Sequence, residues 1–228
     1  MTKNQSMQGK TVLITGATNG IGKEAAHQIA KTGATLVIAG RSREKLTQTV
    51  AEIKSNSGNS KIEGLQADLS ILSGMHSLAE QFLQNHDRLD VLLNNAGALF
   101  TERTVTADGF EKTLALNHLN YFVLTNLLLK ALTQAPSARI VNVASDVHYG
   151  AKLNFDDLHS ASGYSPLGAY SRSKLANVMF TYELAQRLAD QNITANALHP
   201  GVVRSGFGKN NKSLVGRVTS MVLSVVQR

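Results

Sequence analysis

Short apolar runs separated by helix-length segments restrict the fold of this chain more than any other feature. "TVLIT" (11–15), "TLVIA" (35–39), "DVLLNN" (90–95), "RIVNVAS" (139–145) and "ITANALH" (193–199) are rich in β-branched and aliphatic residues, and a weaker run, "IEGLQAD", covers 62–68. Continuous apolar runs suit strands covered on both faces. Between them, segments 21–32, 42–55, 73–85, 109–132 and 169–190 carry apolar residues at three- and four-residue spacing, as at Ile21, Ala25, Ile29 and Ala30. Strands alternating with helices predict an α/β fold: a doubly wound, mostly parallel sheet with helices on both faces. With 228 residues and 43% hydrophobic content, a single domain over 1–228 has enough apolar material for a full core. "SNSGNS" (55–60) reads as a surface loop. The irregular stretch 150–168 is longer than the usual connection of about 4–6 residues, and loops of that length often carry function.

The first strand runs into "TGATNGIGKEAA", a glycine turn followed by a helix. Gly16, Gly20 and Gly22 let the chain turn sharply and let its backbone approach a pyrophosphate, while the helix start offers free N–H groups and a positive dipole end. The spacing is G-x-x-x-G-x-G, which departs from the G-x-G-x-x-G dinucleotide fingerprint. A Rossmann-type phosphate cradle fits this context; so does a glycine-rich turn that binds nothing.

The end of the second strand bears on which dinucleotide would fit. A site for NAD usually places Asp or Glu there to hold the ribose 2′-OH. "VIAGRSREK" instead has Gly40 followed by Arg41 and Arg43, and a guanidinium suits a 2′-phosphate. The alternative is that both arginines simply begin a solvated helix.

Charge and cysteine content narrow the partners. The 23 Lys+Arg against 16 Asp+Glu give a net charge of +7, which favours an anionic ligand. The basic residues are spread out, with no block of like charges and no basic stretch interleaved with aromatics, so a phosphorylated small molecule is favoured over nucleic acid. Cys 0 excludes disulfides and thiolate metal sites and fits an intracellular, cytoplasmic setting. "MTKNQSMQGK" is polar and holds no signal-like apolar region, so no secretory leader or membrane anchor is expected at that end. "LNHLNYFVLTNLLL", with Asn117, His118, Asn120 and Asn126, is too short and polar to span a bilayer, and reads as a buried helix. His27 and His76 read as surface residues; His148, His159 and His199 are too scattered for a metal triad, and no catalytic metal is expected. Asp156 and Asp157 read as loop caps.

"AYSRSKLANV" (169–178) places Tyr170 and Lys174 four residues apart, hence on one helical face, where phenol and ammonium reach a common point. That pair is either a proton site or an idle surface pair.

Taken in order, "TGATNGIG", "AGR", "ADL" (67–69), "NNAG" (94–97), Asn117, "VNVAS" ending in Ser145, "YSRSK" and "HPG" (199–201) resemble the short-chain dehydrogenase/reductases, over about 185 residues. "LNFDDL" and "AYSRSKLANVMF" are similar to the retinol-dehydrogenase-like branch. The resemblance implies an oxidoreductase that moves a hydride between NADP(H), preferred over NAD(H), and a small-molecule alcohol or carbonyl. Tyr170 would be the proton donor or acceptor. Lys174 would lower the pKa of Tyr170 and hold the nicotinamide ribose, Ser145 would bind the substrate carbonyl, and Asn117 would support a proton relay. Gly16, Thr18, Asn19, Gly20, Ile21, Gly22 and Arg41 would hold the phosphates. Asp68 and Leu69 would border the adenine, Asn95, Ala96 and Gly97 would line the cleft, and Pro200, Gly201 and Val203 would flank the nicotinamide beside Tyr170 and Lys174. Gly97 is also explicable as a turn residue, and Pro200 as a strand terminator.

Two departures from the family pattern bear on the site. Ser145 and Tyr170 are 25 residues apart, about twice the more common family spacing, although the retinol-dehydrogenase-like branch has such an insertion. Relatives also usually continue through another helix and a last strand, so the resemblance implies a shortened C-terminal end, with 201–228 a partial substrate lid and one sheet edge curtailed. A non-catalytic NADP(H)-binding module and an interaction protein are the alternatives to an enzyme. Helices 109–132 and 169–190 could pair copies of the chain in a homo-oligomer.

Overall fold

The computed structural model describes residues 6–201. All six expected strands form: β1 (Thr11–Thr15), β2 (Thr35–Gly40), β3 (Ile62–Gln66), β4 (Val91–Asn94), β5 (Ala138–Val143) and β6 (Ile193–Leu198). They make one parallel sheet in the order β3-β2-β1-β4-β5-β6. The order reverses between β1 and β4, and in such sheets ligands bind in the crevice beyond the carboxyl ends of the strands at that point.

Alternation along the strands divides the core in two. Leu13 points into the layer built with α3 (Leu72–Asn85) and the later helices, whereas Val12 and Ile14 face α1 (Gly20–Ala30) and α2 (Arg43–Ser57). All three are fully buried, which is why the first run shows no polar alternation. Ser42 caps α2 by accepting from the Lys45 N–H, and Gly58 ends it in the left-handed conformation.

The expected single helix over 109–132 is broken. Glu111 caps a short α4 (Lys112–Leu114) by accepting from the N–H groups of Thr113 and Leu114. A π turn follows at Ala115–Leu119, then α5 (Asn120–Leu127) and α6 (Leu129–Thr133). Asn117 and Asn120 in its middle are fully buried; the Asn117 amide finds its partners outside the segment, at Ala98 and Ser173, and the Asn120 amide donates back to the Leu116 carbonyl. The helix expected at 169 starts earlier, as α7 (Pro166–Arg187), with Ser165 capping and Pro166 in the first turn. The long stretch before it holds two 3₁₀ turns, Asp146–Gly150 and Phe155–Asp157. There Asp157 accepts from the Ala161 and Ser162 N–H groups, the loop-capping role expected of it. Val203 and the rest of the expected lid past Gly201 lie outside the described residues. Among the described residues no helix is long and apolar enough to cross a membrane.

Candidate active site

The glycine turn and the end of β4 are built against each other. Gly16 has φ +68°, and a Cβ there would come within 2.7 Å of the Ala96 Cα. A Cβ on Gly22 would come within 2.6 Å of the Gly16 carbonyl oxygen and would collide with the Asn95 amide. That amide donates to the carbonyls of Thr15 (2.9 Å) and Gly16 (3.1 Å), and the Thr15 hydroxyl accepts from the N–H groups of Asn95 and Ala96, each at 3.0 Å. Asn95 and Ala96 therefore hold the turn in shape. Thr15, which opens the "TGATNGIG" motif, belongs to the same stitch.

Asn19 precedes α1 without capping it by its side chain, and no acidic residue sits in the first turn, which contains Gly20, Ile21 and Gly22. Those N–H groups and the helix dipole are available to an anion. Gly40 brings the end of β2 against Thr18, whose Cγ2 would lie 2.7 Å from a Cβ there.

Arg41 and Asp68 line one cavity of about 360 Å³, together with Gln66, Ala67, Ile71, Ser73, Gly74 and Ser77. Burial pushes the Asp68 pKa up, but hydrogen bonds from the Ser70 hydroxyl and N–H, aided by Arg41 and Lys112, outweigh it and hold the carboxyl below its ordinary value. The Leu69 side chain is buried in the core and is not part of the cavity lining, so its expected place beside an adenine could involve only its backbone.

The four expected catalytic residues come from three elements. Asn117, on the π turn, accepts from the Ala98 N–H at 2.8 Å and donates to the Ala98 carbonyl (2.9 Å) and the Ser173 hydroxyl (3.1 Å). Ser173 in turn donates to the Tyr170 carbonyl at 2.6 Å. Ser145, just past β5, is hydrogen-bonded through its side chain to Tyr170. Lys174 is 3% exposed, and its Nζ donates to the Val143 carbonyl at 2.8 Å. The Nζ stands 5.5 Å and 5.7 Å from the ring centroids of Tyr121 and Tyr170. A Cβ on Gly97 would sit 3.2 Å from Asn117 Oδ1 and 3.5 Å from Lys174 Nζ. The absence of a side chain there keeps both groups uncrowded.

The electrostatics differ from the expectation. Burial pushes the Tyr170 phenol up to about 12, against the opposing hydrogen bond from Ser145. Burial also takes the Lys174 ammonium down to about 7. Lys174 therefore does not hold the phenol below its ordinary value in the protein alone, because its own charge is disfavoured in the same dry pocket. The arrangement stores a protonated phenol beside a lysine that titrates near neutrality.

The family model for short chain dehydrogenase matches residues 10–214. The chain belongs to the short-chain dehydrogenase family. Human retinol dehydrogenase 12 is 44% identical over 211 residues, covering 92% of this chain and 67% of that protein, which supports the retinol-dehydrogenase-like branch. The chain spans about two thirds or slightly less of the curated relatives it matches, down to 62% for the bovine enzyme of that name. An uncharacterised protein from Mycobacterium paratuberculosis has a TM-score of 0.78 at 37% identity over 90% of this chain and 73% of its own. A short chain dehydrogenase from Shigella flexneri, complexed with NADP, has a TM-score of 0.75 at 27% identity over 92% of this chain and 85% of its own. In this short-chain dehydrogenase, Pro200 and Gly201 follow β6 as the sequence placed them. The Gly201 N–H donates to His199 Nδ1, and His199 Nε2 lies 3.2 Å from Asp146, tying the β6 end to the turn after Ser145.

Proposed function

We propose that the chain is an NADP(H)-dependent oxidoreductase that interconverts an apolar or amphipathic alcohol and its carbonyl. The observation that carries this reading is the Ser145–Tyr170 hydrogen bond above a buried Lys174. Isolated hydroxyls need no such dry, basic neighbourhood, whereas proton transfer to a reacting oxygen does. The cradle fits a dinucleotide because α1 opens at Gly20, Ile21 and Gly22 with no side-chain cap and no acidic residue in its first turn, which leaves its N–H groups and dipole to an anion. A bound nicotinamide would supply or accept the hydride.

The residues of the chain would act on the oxygen. The Ser145 hydroxyl would donate a hydrogen bond to the substrate oxygen, and Tyr170 Oη would release its proton there as negative charge develops. Donors placed where charge appears only in the transition state lower the barrier, not merely the binding energy. Lys174 would replenish charge beside Tyr170, and Asn117 would hold the wall formed by Gly97 and Ala98. In the reverse direction the same phenol must first lose its proton, which its raised pKa opposes.

Preference for NADP(H) rests on Arg41 at the cavity it shares with Asp68, and a bound NADP in the Shigella relative agrees with it. Fluorescence titration with NADPH and NADH is expected to show selective NADPH binding, weakened roughly tenfold by Arg41→Ala, since hydrogen bonds to charged groups are worth about 1.5–3 kcal/mol. Equal affinities for both nucleotides would remove the assignment to Arg41. Turnover of apolar aldehydes and ketones completes the test: tight NADPH binding with no turnover across such a panel would leave a binding module.

Exposed Phe122 on α5 and Met179 and Tyr182 on α7 support pairing with a second copy of the chain. Sedimentation at micromolar concentration is expected to show a dimer, and a monomer there would dispose of that reading.

A further inference from the structure

Two carbonyls of the π turn that carries Asn117 accept from side-chain amides. The Asn120 N–H reaches back five residues to the Ala115 carbonyl, and the Asn120 side chain turns back to take the Leu116 carbonyl. The Asn117 carbonyl is taken from outside the segment. Asn177 Nδ2, on α7, donates to it at 2.8 Å.

Asn177 is fully buried and held from several sides. Its Oδ1 lies 2.9 Å from His118 Nδ1, and its own backbone carbonyl accepts from the Thr181 hydroxyl at 2.6 Å. Thr181 accepts from Asn142 (2.9 Å), and Asn142 accepts from Asn94 (2.9 Å), its register partner across β4 and β5. A row of buried side chains thus runs from the centre of the sheet to the π turn.

The chemistry of the groups allows only one orientation. A carbonyl can only accept, so the NH₂ end of Asn177 must face Asn117, and its oxygen must face His118. His118 Nδ1 must then carry the hydrogen. Burial and the nearby Lys174 charge hold the His118 pKa below its ordinary value despite the Asn177 hydrogen bond, in keeping with a neutral ring that has one N–H to give.

We propose that Asn177, oriented by His118, is a positioning residue that clamps the Asn117 carbonyl and so fixes the Asn117 side chain against Ala98 and Ser173. The proposal rests on the oxidoreductase reading for its catalytic consequence, but the clamp itself is a property of the free chain. The Asn117 carbonyl accepts from a donor on another helix, and a shift of the turn would move Asn117 away from Gly97, Lys174 and the Ser173–Tyr170 link.

The test uses the full chain, with Asn177→Ala, Asn117→Ala, the double variant, His118→Asn and His118→Ala. Nitrogen chemical shifts are expected to show His118 as the Nδ1–H tautomer in the wild type and to change in Asn177→Ala. Amide exchange across 115–121 is expected to accelerate at least about tenfold in that variant, because the turn loses a buried partner. His118→Asn, which keeps a donor near the Nδ1 position, should retain slow exchange, and His118→Ala should not. Single-turnover oxidation of bound NADPH by a carbonyl substrate is expected to slow roughly tenfold in Asn177→Ala, as misplacement of a positioning group does. In the Asn117→Ala background the same change should do little, since residues acting as a unit are not additive.

Unchanged exchange and an unchanged His118 signal in a folded Asn177→Ala protein would overturn the clamp. Full additivity of the two asparagine substitutions in turnover would overturn its action through Asn117. If the wild type turns over no carbonyl while exchange and tautomer respond as expected, the clamp stands and the oxidoreductase reading falls.

Discussion

Tyr170→Phe is expected to slow carbonyl reduction by about 10²–10⁴-fold, the range contributed by one positioned proton donor. The substitution removes a single oxygen from a ring packed beside Lys174 and Ser145, so the fold and the cradle at Gly16 and Gly22 should be untouched. NADPH affinity is expected to change little, because the phosphates and ribose would be held mainly by backbone N–H groups, Arg41 and Lys174. Stopped-flow measurement of NADPH oxidation at saturating cofactor separates the step from binding. Turnover within a few-fold of wild type, with normal cofactor affinity, would sink the proton role. The wild-type rate should also fall as pH approaches the upper limb set by the phenol, whose pKa burial takes to about 12 in the free protein; that limb should vanish in the variant.

Lys174→Met is expected to abolish turnover and yet to stabilise the cofactor-free protein at neutral and acidic pH. Burial takes the lysine from 10.5 to about 7, so between those values the unfolded chain holds a proton that the folded chain has lost. Stability from this group therefore rises with pH across that window, and below about pH 7 the cost of confining an ammonium is present in full. Each pKa unit corresponds to about 1.36 kcal/mol, which places the cost at a few kcal/mol. The lost hydrogen bond to the Val143 carbonyl returns about 1 kcal/mol of it. Methionine matches the length and apolar stem of lysine without its charge. Urea denaturation without cofactor at about pH 6 and about pH 9 is the check: the variant should exceed the wild type at the lower pH, and the gap should narrow at the higher. A variant that is less stable than wild type at the lower pH would show that the buried amine is not a burden to the fold. Such a burden kept at one position is characteristic of a residue retained for chemistry.

Much of the fold was legible because its signals are local. Strands such as Val12 to Ile14 are buried on both faces, so each position had to be apolar, and the run is visible without knowing its neighbours. The glycine turn was legible for a similar reason, since close backbone approach at Gly16 and Gly22 excludes every side chain. The break in the helix at 115–119 was not: the run containing Asn117 and Asn120 reads as one buried helix, and where its turns change depends on partners such as Ala98 and Ser173 that lie elsewhere in the chain. Leu69 is the converse case: its place in the motif suggested the adenine edge, while the core claimed its side chain.

The site divides along the same line. Spacing alone brought Tyr170 and Lys174 to one face of a helix, since i and i+4 are neighbours wherever the helix lies. The sequence by itself thus determined a doubly wound sheet, a glycine cradle at its first turn and a phenol–amine pair on one helix. Only the tertiary structure decided that this pair would meet Ser145 and the stretch after β4 at Gly97. It alone also set the pKa values, because both depend on how completely elements distant in the chain exclude water from the pair. The clamp from Asn177 to Asn117, 60 residues apart, belongs wholly to that second category: a hydrogen bond between a side chain and a distant carbonyl leaves no period, motif or spacing in the chain.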